Sequence, residues 1–296
     1  MTPSPGSLTT AEIKTQPQCW RRAAEVAGTH SAALPRPGER VLVIGCGTSY
    51  YIAQAYAWLR EQAGHGETDA AVASELPTRL RSYDRIVALS RSGTSVEVVD
   101  AMAQLPAGVP VTAVVGVVDT PVAAAATHVV PLEFADEQSV VQTRFATTAL
   151  ATFRASIGED LTTVIAEAES ALVSDLPATP QRQLVVLGHD WSTAIGQEAA
   201  LKCREAAAVW AETYPRGEYR HGPIAVADAT TLVWSLTPLT DVQRQAVLDT
   251  GARLEESTRD PMAELVRLHR FAVQWATERG RDADRPTNLT RSVTNV

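Results

Sequence analysis

Two groups of residues in this sequence have the types and spacing to do chemistry. The first is charged. Glu198, Lys202 and Glu205 stand at i, i+4 and i+7 within "GQEAALKCRE", so a helix brings them to one face. Their neighbours Ala199, Ala200, Leu201 and Ala206 to Val209 are small or apolar. Carboxylates beside an ammonium can take up and return a proton. The loop "EYRHGP" just downstream concentrates Glu218, Arg220 and His221 between glycine and proline. Loops of this kind carry function, and an imidazole titrates near neutral pH, so His221 is a second acid–base candidate. By spacing alone the stripe equally fits a solvated helix face with an ordinary i,i+4 salt bridge.

The second group is rich in hydroxyls. In "ALSRSGTSVE" an apolar run ends at Leu89, and Ser90, Ser92, Gly93, Thr94 and Ser95 follow before a helical pattern begins at Val96. "GCGTSYY" repeats the design after Val41 to Ile44, with Thr48 and Ser49 opening the next helix. Helix N-termini present unpaired N–H groups that attract anions. Serine and threonine add donors without bulk, and glycine lets the backbone come close. Two such turns in one sheet suit a phosphate cradle. The same residues are also common helix caps. A dinucleotide reading of Gly45-Cys46-Gly47 is weaker, because the third glycine and the acidic residue of that fingerprint are absent.

The elements that must position these residues alternate. Apolar strands are expected at Val41 to Ile44, Ala70 to Ala73, Ile86 to Leu89, Val111 to Val118 and His128 to Leu132. Helices are expected at Ala11 to Ala27, Tyr51 to Gln62, Val96 to Leu105 and Pro121 to Ala126, and a long helical stretch at Val140 to Leu176. A second alternation follows Pro177 to Pro180. It has strands at Leu184 to Gly188, Ala211 to Tyr214 and Thr231 to Leu236, a helix at Thr193 to Trp210, and mostly helix from Asp241 to Arg279. Continuous β-branched runs alternating with helices predict an α/β fold with parallel sheets covered on both faces. The second sheet is expected to be reduced, with its final strands missing and an edge left for a partner.

Composition limits what the molecule can be. The 296 residues include 45 % hydrophobic and 20 % charged residues, the balance of a folded protein. A net charge of -8 argues against nucleic acid or an anionic membrane as the main partner. No stretch is apolar and long enough to span a bilayer. The three cysteines, Cys19, Cys46 and Cys203, form no CxxC pair, which argues against a disulfide framework or zinc site and fits a reducing cytoplasm. Met1 to Gly6 reads as a disordered start.

Five pieces taken in order, "GCGTSY", "LSRSGTS", "QEAALKCRE", "EYRHGP" and the tail "RPTNLTRSVTNV", resemble the double sugar-isomerase (SIS) domain family. Together they resemble the isomerase half of glucosamine-6-phosphate synthase. The wording "SRSG", "SVVQTR" and "RHGP" is nearer to stand-alone amino-sugar-phosphate deaminases and isomerases. The resemblance implies two SIS lobes: an N-terminal arm and helix over 1–35, a first lobe with its connecting helix over 36–176, and a second lobe with the tail over 177–296. It implies that Thr48, Ser49, Ser90, Ser92 and Ser95 hold a sugar phosphate, with Arg91 adjacent. It implies that Glu205 moves the proton between C1 and C2 of the open-chain sugar, that Glu198 and Lys202 support it, and that His221 helps open the ring. The family histidine comes from the partner subunit, which implies a homodimer with shared sites. No metal or organic cofactor is implied.

The sequence departs from the synthase pattern. Met1 to Pro35 is too short for a glutaminase domain and position 2 is not Cys, so ammonia is not expected from glutamine. The tail has Arg291 where the synthase carries a Schiff-base lysine, and an arginine stays protonated. Arg291 is therefore expected to act electrostatically. The expected activity is phosphosugar aldose–ketose isomerisation, in an amino-sugar version with loss of ammonia. The alternatives are a non-catalytic sugar-phosphate-binding regulatory module and an ammonia-dependent synthase-type isomerase. Retention of Glu205 and His221 favours an enzyme over a sensor, and the absence of a helix-turn-helix before Pro35 disfavours a transcription regulator.

Overall fold

Runs of β-branched and small apolar residues build two parallel sheets in a computed structural model that describes residues 4–294. Met1 to Pro3, part of the expected loose start, and Asn295 and Val296 of the quoted tail lie outside the described residues. The first sheet has β1 (Val41–Gly45), β2 (Thr68–Val72), β3 (Arg85–Ser90), β4 (Val111–Val115) and β5 (His128–Pro131) in the order β2-β1-β3-β4-β5. Every pairing is parallel, with Val41 opposite Arg85 and Ile86 opposite Val111. Every residue of β1, β3 and β4 is buried, as strands covered on both faces must be. The covering helices are α3 (Thr48–Gln62), α4 (Val96–Ala103), the short α5 (Pro121–Ala124) and α6 (Arg144–Ser156), after α1 (Ser7–Lys14) and α2 (Gln16–Thr29) at the start of the chain.

The second sheet repeats the plan with one strand fewer. It contains β6 (Gln183–Gly188), β7 (Trp210–Pro215), β8 (Thr231–Ser235) and β9 (Arg253–Glu256) in the order β7-β6-β8-β9, again all parallel. Its helices are α7 (Thr162–Ala171), α8 (Ser192–Ala207), α9 (Asp241–Asp249) and α10 (Pro261–Glu278). α10 packs along both α7 and α8.

Several expectations need correction. The long stretch from Val140 is two helices, broken where Gly158 takes a φ of +87°. The N-terminal helix is also two, interrupted at Thr15. From Gly6 onward the start of the chain is tied down: Asp282 accepts from Gly6 N (2.8 Å), and Asp284 accepts from Leu8 N (3.0 Å) and Thr9 N (2.8 Å) at the free end of α1. The helix expected to reach Trp210 stops at Ala207, with Ala208 left-handed at φ +49°. A final strand, β9, exists where helix was expected. Its glutamates conceal it: Glu256 accepts from Arg244 and Leu239, and Glu255 pairs with Arg267, so only Leu254 gives an apolar signal.

The chain divides into two compact units. One holds Gln18–Leu161 and the tail from Thr290; the other holds the start of the chain up to Pro17 and Thr162–Leu289. The connecting helix α7 and the N-terminal arm thus group with the second sheet. The tail, expected with the second lobe, groups with the first because Arg291 pairs with Asp136 there.

Candidate active site

In an open parallel sheet the ligand crevice lies where strand order reverses, beyond the carboxyl ends of the two strands on either side. In the order β2-β1-β3-β4-β5 that point lies between β1 and β3. The turns after these two strands are the two hydroxyl-rich turns. The first is drawn tight by Gly45, where any Cβ would come within 2.8 Å of Ser49 Cβ. It leads into α3 with Thr48 and Ser49, 4 % and 5 % exposed. Cys46 lies in the same turn. Burial, and to a lesser degree the charge of Glu97, push its thiol up, so it stays protonated and is no nucleophile.

The second turn is ordered by its own hydroxyls. Gly93 N–H donates to Ser90 Oγ (3.1 Å), and Thr94 N–H donates to Ser92 Oγ (3.2 Å). With their oxygens accepting from the main chain, Ser90 and Ser92 keep their own O–H hydrogens for an anion. Gly93 is required here. Its φ is +65°, and a Cβ would lie 2.1 Å from Thr120 Oγ1. Ser95 is the N-cap residue of α4 but makes no side-chain cap bond.

Arg91, expected beside the phosphate, points elsewhere. Its guanidinium donates to the carbonyls of Ser139 (2.9 Å), Val140 (3.3 Å) and Arg291 (2.5 Å), and the residue is 2 % exposed. Arg291, expected to act electrostatically where the synthase carries its lysine, pairs with Asp136 Oδ1 (2.5 Å) and donates to Glu137 O (2.9 Å). Sequence reasoning also missed Ser292, whose Oγ lies 3.2 Å from Thr94 Oγ1. The signal was present, since the tail was quoted as a motif, but nothing in its spacing tells which turn it meets.

In the other unit, the stripe on α8 faces inward. Glu198 and Lys202 are 0 % and 1 % exposed, which excludes the surface salt-bridge reading. Lys202 Nζ lies 2.6 Å from Glu205 Oε2 and 3.5 Å from Glu198 Oε1. Glu205 keeps 19 % of its side chain exposed, the only one of the three with access to solvent. A buried ammonium is tolerable only with such partners. On α10, His269 is also buried, and its Nδ1 lies 3.3 Å from Gln16 Nε2. Burial, with Lys202 adding, pushes this imidazole down to about 3, so it is neutral.

His221 follows a 3-10 turn, Glu218–Arg220, that is pinned by buried Tyr219 within the apolar core around Val185, Leu187 and Val233. Its imidazole is exposed, and no ion pair or hydrogen bond joins it to the α8 set among the described residues. The structure therefore gathers Glu198, Lys202 and Glu205 in one place, and Ser90, Ser92, Thr94 and Ser292 in another. Among the described residues no three His, Cys, Asp or Glu side chains gather as a metal-ligand set. No helix among them is long and apolar enough to cross a membrane.

Residues 36–157 match the SIS domain family. Across 96 % of its length, the chain is 26 % identical to a glutamine–fructose-6-phosphate aminotransferase (isomerizing) from Caulobacter vibrioides, of which it covers 58 %. The chain thus spans little more than half the length of the curated relatives it matches. Its fold is shared with the crystal structure of a glucosamine-6-phosphate deaminase from Thermotoga maritima, with a TM-score of 0.79, 23 % identity, and coverage of 96 % of this chain and 99 % of the other. A tagatose-6-phosphate ketose/aldose isomerase from Escherichia coli shares it too, with a TM-score of 0.79 and 20 % identity over 94 % of this chain and 95 % of that one. The two parallel sheets flanked by helices are thus an arrangement that these two crystal structures share.

Proposed function

We propose that this protein is a phosphosugar aldose–ketose isomerase acting on a 2-amino-2-deoxyhexose 6-phosphate, with release of ammonia. One observation carries the reading: α8 holds a lysine and two glutamates in its buried stripe, and only Glu205 keeps access to solvent. A helix with a purely structural role would fill these positions with apolar residues.

In this reading the sugar phosphate binds through the O–H groups of Ser90 and Ser92, with Thr48, Ser49 and Ser95 around them. Glu205 removes the proton from C2 of the open-chain aldose and returns it to C1, while the C1 oxygen takes up a proton and C2 becomes unsaturated. Lys202 pairs with Glu205 and holds its carboxylate in place, and Glu198 balances the lysine. With an amino group on C2 the nitrogen gives up one proton as the C1 oxygen gains one, and the product is a ketimine; water adds at C2 and ammonia leaves, giving the ketose 6-phosphate. Protons and water balance these steps without an electron carrier. His221 would assist ring opening, and since its loop is exposed, we assign it to the site of a partner subunit in a homodimer. Three thiols with no disulfide among them suit a reducing cytoplasm.

The names of the relatives support the substrate class, since each carries a sugar 6-phosphate. The test is Glu205→Gln with a panel of hexose and aminohexose 6-phosphates, following ketose and ammonia. Loss of a general base costs about 10²- to 10⁴-fold in turnover, with binding retained and solvent deuterium no longer entering the sugar. Near-native turnover of the variant would overturn the assignment. Binding by the native protein without turnover on any member would favour the regulatory reading.

A further inference from the structure

The last described residues carry an arrangement that the isomerase reading does not use. Four bonds fasten the tail to the second hydroxyl turn and the segment beside it. The Arg291 side chain reaches Asp136 Oδ1 (2.5 Å) and Glu137 O (2.9 Å). The Arg291 carbonyl accepts from Arg91 (2.5 Å). The Val293 carbonyl accepts from Val96 N–H, at the first turn of α4 (3.2 Å). Between these anchors, Ser292 Oγ meets Thr94 Oγ1 (3.2 Å), which in turn lies 3.1 Å from Ser92 Oγ.

Both anchor points are rigid. Arg91 is buried, and its other Nη is fixed on the Ser139 and Val140 carbonyls. Glu137 is 0 % exposed, and its carboxylate accepts from the N–H groups of Thr143 (2.7 Å), Arg144 (2.8 Å) and Phe145 (3.2 Å) at the start of α6. A rigid segment thus holds Arg291, Arg291 holds the tail, and the tail sets one hydroxyl in line with the turn. The guanidinium fork suits this task, since it can serve a carboxylate and a carbonyl together.

We propose that Arg91 and Arg291 are positioning residues that fasten the tail on the second hydroxyl turn, so that Ser292 supplies a further hydroxyl to the sugar-phosphate site. This rests on the phosphate reading of that turn. Ser292, Thr94 and Ser92 form a continuous row of hydroxyls, and a phosphate accepting from Ser92 sits beside the other two. Arg291 then acts through Ser292 and does not touch the reacting carbons.

The test measures hexose 6-phosphate binding and steady-state kinetics for Ser92→Ala, Ser292→Ala, Arg291→Ala and Arg291→Ala with Ser292→Ala. Loss of one hydroxyl donor should weaken binding about three- to tenfold. Ser292→Ala should do so with kcat nearly unchanged. Arg291→Ala should weaken binding at least as much, and adding Ser292→Ala to it should cost nothing further. Asp136→Arg combined with Arg291→Asp should recover part of the loss, as a reversed pair can still hold the tail. Full additivity of the two tail substitutions, a fall in kcat with KM unchanged in Arg291→Ala, or native binding by Ser292→Ala would each overturn the proposal. If Ser92→Ala weakens binding while Ser292→Ala does not, only the role of the tail fails. If neither does, and unphosphorylated hexose binds as well, the phosphate reading fails with it.

Discussion

Replacing Lys202 with methionine tests the α8 site at its centre. Methionine keeps most of the apolar stem and removes only the charge. In the native protein the ammonium lies 3.5 Å from Glu198 and 2.6 Å from Glu205. At an effective dielectric of about 20, the longer contact alone corresponds to about 5 kcal/mol of attraction. Most of that offsets the cost of bringing the charges out of water. Once the lysine is gone, fully buried Glu198 loses its ion-pair partner at 3.5 Å, and breaking a buried pair in this way costs about 3–5 kcal/mol. That is a large part of a domain stability of about 5–15 kcal/mol. Urea denaturation at neutral pH should show this loss for Lys202→Met. Glu198→Gln added to Lys202→Met should recover at least about 2 kcal/mol, since the remaining carboxylate, Glu205, keeps contact with water. A single-variant loss below about 1 kcal/mol, the size of a surface pair, or a double variant no better than the single one, would refute the view that Lys202 neutralises this interior.

Two further outcomes follow from burial and backbone geometry. His269 is held near 3 in the fold against 6.5 when exposed, so its neutral form contributes fully above pH 6.5. Below that pH the unfolded chain takes up a proton that the folded chain, with His269 facing Lys202 and Gln16, refuses. Stability should then fall by roughly 1 kcal/mol per pH unit from pH 6.5 towards 3; His269→Gln should flatten this part of the stability–pH curve, and an unchanged slope would contradict it. Gly93→Ala places a methyl 2.1 Å from Thr120 Oγ1 at a φ of +65°; a loss of about 2 kcal/mol or more is expected, partly recovered by Thr120→Ala, and no recovery would mean the clash is not the cause.

What the sequence disclosed follows from what each residue must do. The strands at Val41, Ile86, Val111 and Leu184 were legible because both their faces are buried, which leaves an unbroken apolar run. β9 was not, because ion pairs to Arg244 and Arg267 do for its glutamates what apolar contacts do elsewhere. The break at Gly158 was hidden inside a stretch with helical composition on both sides. The candidate residues divide in the same way. Spacing placed Glu198, Lys202 and Glu205 on one face but could not say whether that face met water, since the i, i+4, i+7 pattern is the same in both cases. The resemblance implied that Arg91 would lie beside the phosphate, and Arg291 was expected to act electrostatically in the place of the synthase lysine. They meet carbonyls and an aspartate instead, contacts made across 48 or more residues of sequence that no local pattern encodes.

The two lobes also explain why one phosphate, and not two, should bind per chain. Their strand orders are the same up to the missing strand, so the second lobe has its own reversal point between β6 and β8. The turn after β6 looks comparable, with Gly188, Ser192 and the start of α8. Its chemistry is different. Ser192 Oγ accepts from His189 N–H and donates to His189 O, both at 2.7 Å, so its hydrogen is already used. Ser90 and Ser92 only accept within their turn and keep theirs. Asp190, at φ +53°, adds a carboxylate next to the start of α8, 3.6 Å from His189, and this opposes an anion at that helix N-terminus. The second lobe has kept the fold and given its central helix to charged groups buried in mid-helix, while the first has kept its donors at the turn. Calorimetric titration with a hexose 6-phosphate should therefore give a stoichiometry of about one per chain, and two equivalent sites per chain would show that the turn after β6 binds phosphate despite Asp190.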